Sequence, residues 1–184
     1  SAAAIVTAHH QDDQVETILQ KILRGSGVEA WQGMSVWNGD YLRPLLSFTK
    51  SEILDYCNDN AIPYRIDESN LASNYARNLL RNEVFEKFEG FFPGWKKNIL
   101  SLSEKGKTTE LAIHHIYNSM LSDKGLLLDD FTEIDISLKS AVLKHYIAQH
   151  SPETSLSKGL INSLLEIEDK QVGVTIPISD TLKL

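Results

Sequence analysis

The sequence holds one cysteine, Cys57, in 184 residues. A single thiol excludes an internal disulfide and fits a reducing compartment. No apolar run reaches the ~20 residues that a membrane-spanning helix needs, and no signal segment is visible. The expected location is therefore the cytoplasm, with no membrane contact. A basic excess is also missing: the net charge is −7. That excludes a protein that coats nucleic acid electrostatically, and any such contact has to be local. Arginine is scarce, and its five positions, Arg24, Arg43, Arg65, Arg77 and Arg81, all fall within the first 81 residues. Arginine forks suit phosphate and carboxylate, so the chemistry is expected in the first half. No two glycines are adjacent, no internal repeat is present and no segment is of low complexity.

What the chain does have is a dense polar cluster at its start. Ala3-Ala4-Ile5-Val6 reads as a buried strand. Thr7-Ala8-His9-His10-Gln11-Asp12-Asp13-Gln14-Val15-Glu16-Thr17 follows, with two imidazoles and two carboxylates in five residues. Val15, Ile18, Leu19, Ile22 and Leu23 then recur with helical spacing. Asp13 with Glu16 three residues on has capping-box spacing, which predicts Asp13 as the N-cap. Gly25 and Gly27 close the helix. The cluster thus lies where a strand hands over to a helix, the edge of an α/β sheet at which ligands bind. Helix amides there favour phosphate. Caps alone would explain one aspartate, but neither the histidines nor the second carboxylate.

Farther along, Asn38-Gly39 is a hairpin-type turn and Tyr41–Leu46 a short strand ended near Pro44. Thr49-Lys50-Ser51-Glu52 is a second capping box. Its helix is expected to carry Ile53, Leu54, Tyr56 and Cys57 inward as far as Asn60. Ile62-Pro63-Tyr64-Arg65-Ile66 reads as a strand, and Asp67-Glu68-Ser69-Asn70 as a polar turn at its tip. Asn74 to Arg81 opens another helix. Arg77 and Arg81 share a face there and repel unless an anion, or a carboxylate such as Glu83 or Asp67, lies between them. Phe91-Phe92-Pro93-Gly94 breaks the pattern and divides the chain into residues 1–90 and 91–184. From Trp95 a long helix with apolar positions Ile99, Leu102, Ile113, Ile116 and Met120 runs toward Leu121, with a kink expected at Gly106. His114 and His115 point about 100° apart on it, so that both cannot easily face one metal, and they read as surface and partly buried positions. Leu126–Leu128 is expected as a buried connection. Helices over Ser137–His150 and Ser157–Glu168 follow, then a small terminal β element over 173–184.

In order along residues 3–82 stand His9-His10-Gln11-Asp12-Asp13-Gln14-Val15-Glu16-Thr17, Arg24-Gly25-Ser26-Gly27, Gly33-Met34, Arg43-Pro44-Leu45, Asp67-Glu68-Ser69-Asn70 and Arg77-Asn78-Leu79-Leu80-Arg81. The ordered set resembles the tRNA(Ile)-lysidine synthetase family, also called the cell-cycle protein MesJ family. The resemblance implies an α/β fold: a partial N-type ATP pyrophosphatase sheet, Rossmann-like, followed by a mainly helical substrate-binding domain. It implies a ligase that uses ATP and Mg²⁺ to adenylate C2 of the wobble cytidine of a tRNA(Ile) precursor with a CAU anticodon. Free lysine then displaces AMP. The family's Ser-Gly-Gly-x-Asp-Ser phosphate loop has no match in this chain, and Ala30-Trp31 stands where Gly-Leu is more usual. We therefore expect a fragment lacking that loop, inactive alone and, with a strand edge uncovered, prone to self-association.

On this reading Asp13 is the candidate Mg²⁺ ligand, with Asp12 beside it. His9, His10 and Asp12 are candidates for the nucleotide, and Arg77 and Arg81 for a phosphate of ATP or of the tRNA backbone. Asp13, Glu16 and Asp67 are the catalytic candidates. Lysine attacks as the neutral amine, and Glu16 or Asp67 serves as its base or anchor. Three alternatives stand beside it. One is a thiolating or amidating relative of the same ATP pyrophosphatase class, against which the lone Cys57 counts. Another is a non-catalytic helical interaction module. The third is a metal site at His9, His10, Asp12 and Asp13, although zinc favours thiolates or spaced histidines.

Overall fold

Parallel strands bring the ends of two strand–helix junctions to the same edge, and here the parallel pair is very short. The computed structural model describes residues 4–65, 80–122, 125–151 and 157–166. β1 (Ile5–Val6) pairs in parallel with β2 (Tyr41–Leu42), Ile5 opposite Tyr41 and Val6 opposite Leu42. α1 (Gln11–Leu23) follows β1, and α2 (Lys50–Asp59) follows β2. Because the strands run the same way, both helices start at the strands' carboxyl edge. The junctions are bolted together there: Gln11 N–H donates to Phe48 O at 2.8 Å, and Lys50 N–H to the Asp12 carboxylate at 2.9 Å.

The connection between α1 and β2 is held by one side chain. A 3₁₀ turn over Val28–Gln32 ends at Gly33, whose φ is 74°. Gln14, buried on α1, accepts from Met34 N–H at 2.7 Å. Its amide donates back to Gln32 O at 3.2 Å and Met34 O at 3.0 Å. A Cβ on residue 33 would stand 2.6 Å from the Gln14 side chain. Glycine there meets both the left-handed backbone and the close approach. Asn38-Gly39 forms the expected turn: Gly39 has φ 91°, the Asn38 side chain accepts from Tyr41 N–H at 2.8 Å, and Trp37 bridges Leu42 in antiparallel fashion.

Beyond the residues left undescribed at 66–79, a π turn over Leu80–Val84 leads into α3 (Phe85–Phe91). After the Phe92-Pro93-Gly94 turn, α4 runs from Trp95 to Ser119. Val15, Leu19, Leu80, Phe85 and Trp95 form one buried cluster, with the Trp95 ring centroid 4.8 Å from Phe85 and 5.3 Å from Phe88. The chain divides into two compact units at Thr108/Thr109, inside α4. The turn at Phe91–Gly94, where the sequence pattern changes, is a helix–helix corner within the first unit.

In the second unit β3 (Leu121–Ser122) and β4 (Gly125–Leu126) form an antiparallel pair. The helices α5 (Leu128–Glu133), α6 (Ile136–His150) and α7 (Lys158–Leu165) follow. Tyr117, Phe131, Val142, Leu143, Ile147, Ile161 and Leu164 are their buried core. The α/β reading with a mainly helical second half holds. The expected terminal β element lies outside the described residues.

Several local expectations are corrected. Ile5 and Val6 are paired but not buried, being 57% and 64% exposed. Tyr56 faces solvent at 63%, and so does Leu23, in the last turn of α1. Residues 62–65 form no strand; Pro63 offers no N–H for a ladder. The Leu126–Leu128 connection is only half-buried at Leu126 and exposed at Leu127. Gly106 lies within α4 and is a packing point: a Cβ on it would lie 2.5 Å from Gln32 N and 2.9 Å from Val28 O, in the 3₁₀ turn. Ser103, one turn earlier, donates to Gln32 O at 2.7 Å.

Helix propensity favours alanine over glycine by roughly 1 kcal/mol, whereas forcing extra volume against backbone costs about 1–3 kcal/mol. The clash decides the sign at Gly106. Thermal unfolding should show Gly106→Ala lowering the melting temperature. Gly90→Ala in α3, where a Cβ meets nothing within 4 Å, should leave it unchanged or raise it. A stabilised Gly106→Ala variant would show that α4 does not pack on the 3₁₀ turn in this way.

Candidate active site

The carboxylates of the opening cluster are laid out by where α1 begins. The helix starts earlier than its spacing suggests, with His10 rather than Asp13 as N-cap. Asp13 is the N3 residue, and its Oδ2 accepts from His10 N–H at 3.0 Å. The correction has a physical reason. Gln11 is tied to the β2–α2 junction, which fixes the first turn upstream of the first apolar position. Shifting the start places Asp13 and Glu16 on the buried side of α1, 7% and 1% exposed. Asp12 faces the α2 junction.

Carboxylates that deep require cations, and two arrive from later in the chain. Arg81, in the π turn, donates through Nη2 to Asp13 Oδ1 at 2.7 Å and through Nε to Glu16 Oε1. Burial works against the guanidinium charge. The hydrogen bond and attraction of Glu16, with those of Asp13, outweigh it and push the Arg81 pKa up. These two partners of Arg81 lie 65 and 68 residues away along the chain; Arg77 and Asp67 lie outside the described residues. Leu80 and Phe85 are buried on either side of Arg81, and this packing sets it against α1.

The second cation is Lys96, in the first turn of α4, whose Nζ donates to Asp12 Oδ1 at 2.7 Å. Asp12 Oδ2 accepts from the first amide of α2, Lys50 N–H, at 2.9 Å. Burial alone would raise the Asp12 pKa. The hydrogen bonds from Lys96 and Lys50, with the charges of Lys96 and His10, lower it below the ordinary carboxylate value. His10 stands between the two aspartates, Nε2 at 3.4 Å from Asp13 Oδ2 and Nδ1 at 3.7 Å from Asp12 Oδ2. Its Nδ1 is buried and makes no hydrogen bond among the described residues. His9 turns back to Thr7 Oγ1 at 2.8 Å.

These groups enclose a cavity of about 600 Å³ lined by His10, Asp12, Glu16, Thr49, Lys50, Ser51, Leu54, Arg81, Phe85 and Lys96. It opens at the carboxyl edge of the parallel pair, between the starts of α1 and α2. Its lining carries both signs of charge. Arg81 serves the Glu16 carboxylate there and Asp13 beside it. Lys96 pairs with Asp12, and Lys50 is the third cation of the lining. The structure therefore brings together His10, Asp12, Asp13, Glu16 and Arg81 from the sequence candidates. His9 lies at the margin and does not line the cavity, and Asp67 and Arg77 lie outside the described residues. Sequence reasoning missed Lys96 and Gln14. Lys96 sits in an ordinary-looking Lys96-Lys97 pair. Gln14 lay inside the motif, where a buried amide on a helix was the available signal.

Carboxylate oxygens are the ligands that a hard cation such as Mg²⁺ takes, and Asp12, Asp13 and Glu16 are the carboxylates gathered here. No cluster of three or more histidine, cysteine, aspartate or glutamate side chains poised for a metal occurs among the described residues.

The same segment is marked by comparison with known proteins. Residues 1–88 match the ATP_bind_3 family, the PP-loop domain. A tRNA(Ile)-lysidine synthase of Francisella tularensis subsp. novicida is 28% identical over 188 aligned residues, covering 98% of this chain and 47% of that protein. One from Bacillus cereus is 32% identical, covering 90% of this chain and 38% of that protein. The bifunctional protein TilS/HprT of Listeria innocua is 37% identical over 142 residues, 69% of this chain and 22% of that protein. The chain spans about half the length, or less, of these curated relatives. The fold is that of the N-type ATP pyrophosphatases, and the chain belongs to the tRNA(Ile)-lysidine synthase family.

Proposed function

We propose that this chain supplies the lysine-facing part of an ATP-dependent carbon–nitrogen ligase site. The reaction joins free lysine to C2 of the wobble cytidine of a tRNA(Ile) precursor with a CAU anticodon, through an adenylated intermediate. The observation that carries this reading is a cavity lined by both carboxylates and cations. An amino acid that attacks an adenylate needs an acidic seat for its ammonium groups and a cationic seat for the phosphate that leaves. Glu16, with Asp13 beside it, offers the first, and Lys50 and Lys96 the second.

The roles follow from position. Glu16, on the cavity wall, anchors the substrate ammonium or takes its proton; Asp67 is the other candidate for that step. Arg81 holds Asp13 and Glu16 in place and presents its remaining donors to a phosphate. His10, on the cavity wall, is a candidate contact for the nucleotide, and His9 steadies the junction before it. Arg77 is a further phosphate candidate. Asp13, with Asp12 beside it, would hold Mg²⁺, whose chemistry is to neutralise charge on the pyrophosphate leaving group. No Ser-Gly-Gly-x-Asp-Ser loop occurs in the chain, so these 184 residues alone are not expected to form lysidine.

Incorporation of labelled lysine into precursor tRNA, with AMP release followed in parallel, tests the assignment. It should be run in a polypeptide of the relatives' full length that carries this segment. Asp13→Asn and Glu16→Gln should each reduce incorporation by about 10²-fold or more, the range of a lost acid–base group. Glu16→Gln should also raise the KM for lysine more than that for ATP. Turnover unchanged by both substitutions would remove the acid pair from the reaction.

No helix among the described residues is long and apolar enough to cross a membrane, which supports the proposed cytoplasmic location. The exposed side chains of Ile5 and Val6 support a second proposal, that this chain self-associates through the β1 edge. Sedimentation of the 184-residue chain should show a concentration-dependent shift toward dimer, reduced by Val6→Lys. A strictly monomeric species at high concentration would sink the idea.

A further inference from the structure

Lys96 lies beyond the segment that matches the PP-loop domain, residues 1–88, yet it lines the same cavity as the motif residues. Its ammonium carries three donors. The one side-chain contact found for it among the described residues is Asp12, at 2.7 Å. It is 43% exposed, so the remaining donors are open to the cavity. The surrounding charge favours an anion there. Three cations, Lys50, Arg81 and Lys96, and two carboxylates, Asp12 and Glu16, line the space, in a chain whose net charge is −7. Arg81 is taken up by Asp13 and Glu16, whereas Asp12 is shared between Lys96 and the Lys50 amide. Lys96 thus meets one carboxylate where Arg81 meets two.

We propose that Lys96 is a substrate-binding residue of this site, one that contacts a phosphate group while Asp12 holds its ammonium in place. The proposal rests on the reading of the cavity as a ligase site. It adds to that reading a residue from α4, outside the matched domain. Two phosphates have the required chemistry: that of the nucleotide and that of the RNA backbone next to the modified base. The Asp12 contact gives Lys96 a fixed resting place. It resembles the way a buried carboxylate orients a metal-binding histidine, with a cation in the histidine's role.

The test uses the 184-residue chain with two probes, inorganic pyrophosphate and a stem-loop RNA with CAU in its loop. Binding is measured by calorimetry for the unaltered chain, Lys96→Met and Lys96→Arg. Lys96→Met should weaken binding of at least one probe about tenfold, the lower end for a hydrogen bond to a charged group. Lys96→Arg should restore most of the loss, because it keeps the charge. A change confined to pyrophosphate assigns the nucleotide phosphate. A change confined to RNA, with the slope of log Kd against log salt reduced by about 0.7, assigns the backbone. Thermal unfolding should move little in Lys96→Met, since half-exposed ion pairs contribute about 0–1 kcal/mol. Affinities unchanged in Lys96→Met, or a loss that Lys96→Arg does not recover, would overturn the role of Lys96 while leaving the site reading intact. Failure of the unaltered chain to bind either probe would also overturn the role of Lys96, whereas the ligase reading stands or falls on lysine incorporation by the full-length polypeptide.

Discussion

One guanidinium holds the site together. Arg81 reaches from the π turn before α3 to two carboxylates on the buried side of α1. Without it, Asp13 and Glu16 would be two anions one helical turn apart with almost no water to screen them. The pairing also fixes geometry. α1 and the Leu80–Phe91 segment share a core of Val15, Leu19, Leu80 and Phe85, and the ion pair closes that core on its polar side. Removing one member of such a pair costs about 3–5 kcal/mol when both are buried. Arg81 is a third exposed, so a smaller cost is expected here. The rest of the cavity is built outward from this point: His10 caps α1 over Asp13, Asp12 ties down α2, and Lys96 neutralises Asp12.

Such an arrangement suits exchange. Each carboxylate in the cavity already has a cation, so an incoming ammonium or metal competes with a side chain rather than filling an empty anionic hole. The unliganded site is near charge balance and avoids the repulsion that three carboxylates within one turn and a half of helix would otherwise create. On the proposed function, substrate binding would replace one set of charge-assisted hydrogen bonds by another, at modest cost in desolvation.

The sequence made the junction legible because local chemistry decides it. His9 to Glu16 is a run that no ordinary helix start requires, and Thr49 with Glu52 caps α2 as its spacing predicts, the Glu52 carboxylate accepting from Thr49 N–H at 2.7 Å. Ile161 and Leu164 turned inward as the period of α7 indicates. What escaped was set by distance in space. The N-cap moved from Asp13 to His10 because a bond from the β2–α2 loop, far along the chain, fixes the first turn. The pairing of Arg81 with Asp13 and Glu16 is invisible in one dimension, because the partners lie 68 and 65 residues away. Lys96 carries no motif at all, and its value comes from α4 starting beside Asp12. Gly106 is a contact point by packing, and its partner turn lies far away along the chain. Ile62–Arg65 has strand-forming residues and no strand, because β-propensity needs a partner to act on.

The central claim is that Arg81 and the acid pair of α1 act as one unit. A double-mutant cycle with Arg81→Met and Glu16→Gln, read by denaturant unfolding of this chain, tests it most directly. The account predicts a coupling free energy of about 1–3 kcal/mol, the range for residues within one buried network. Single substitutions whose costs add to within about 0.5 kcal/mol would contradict it.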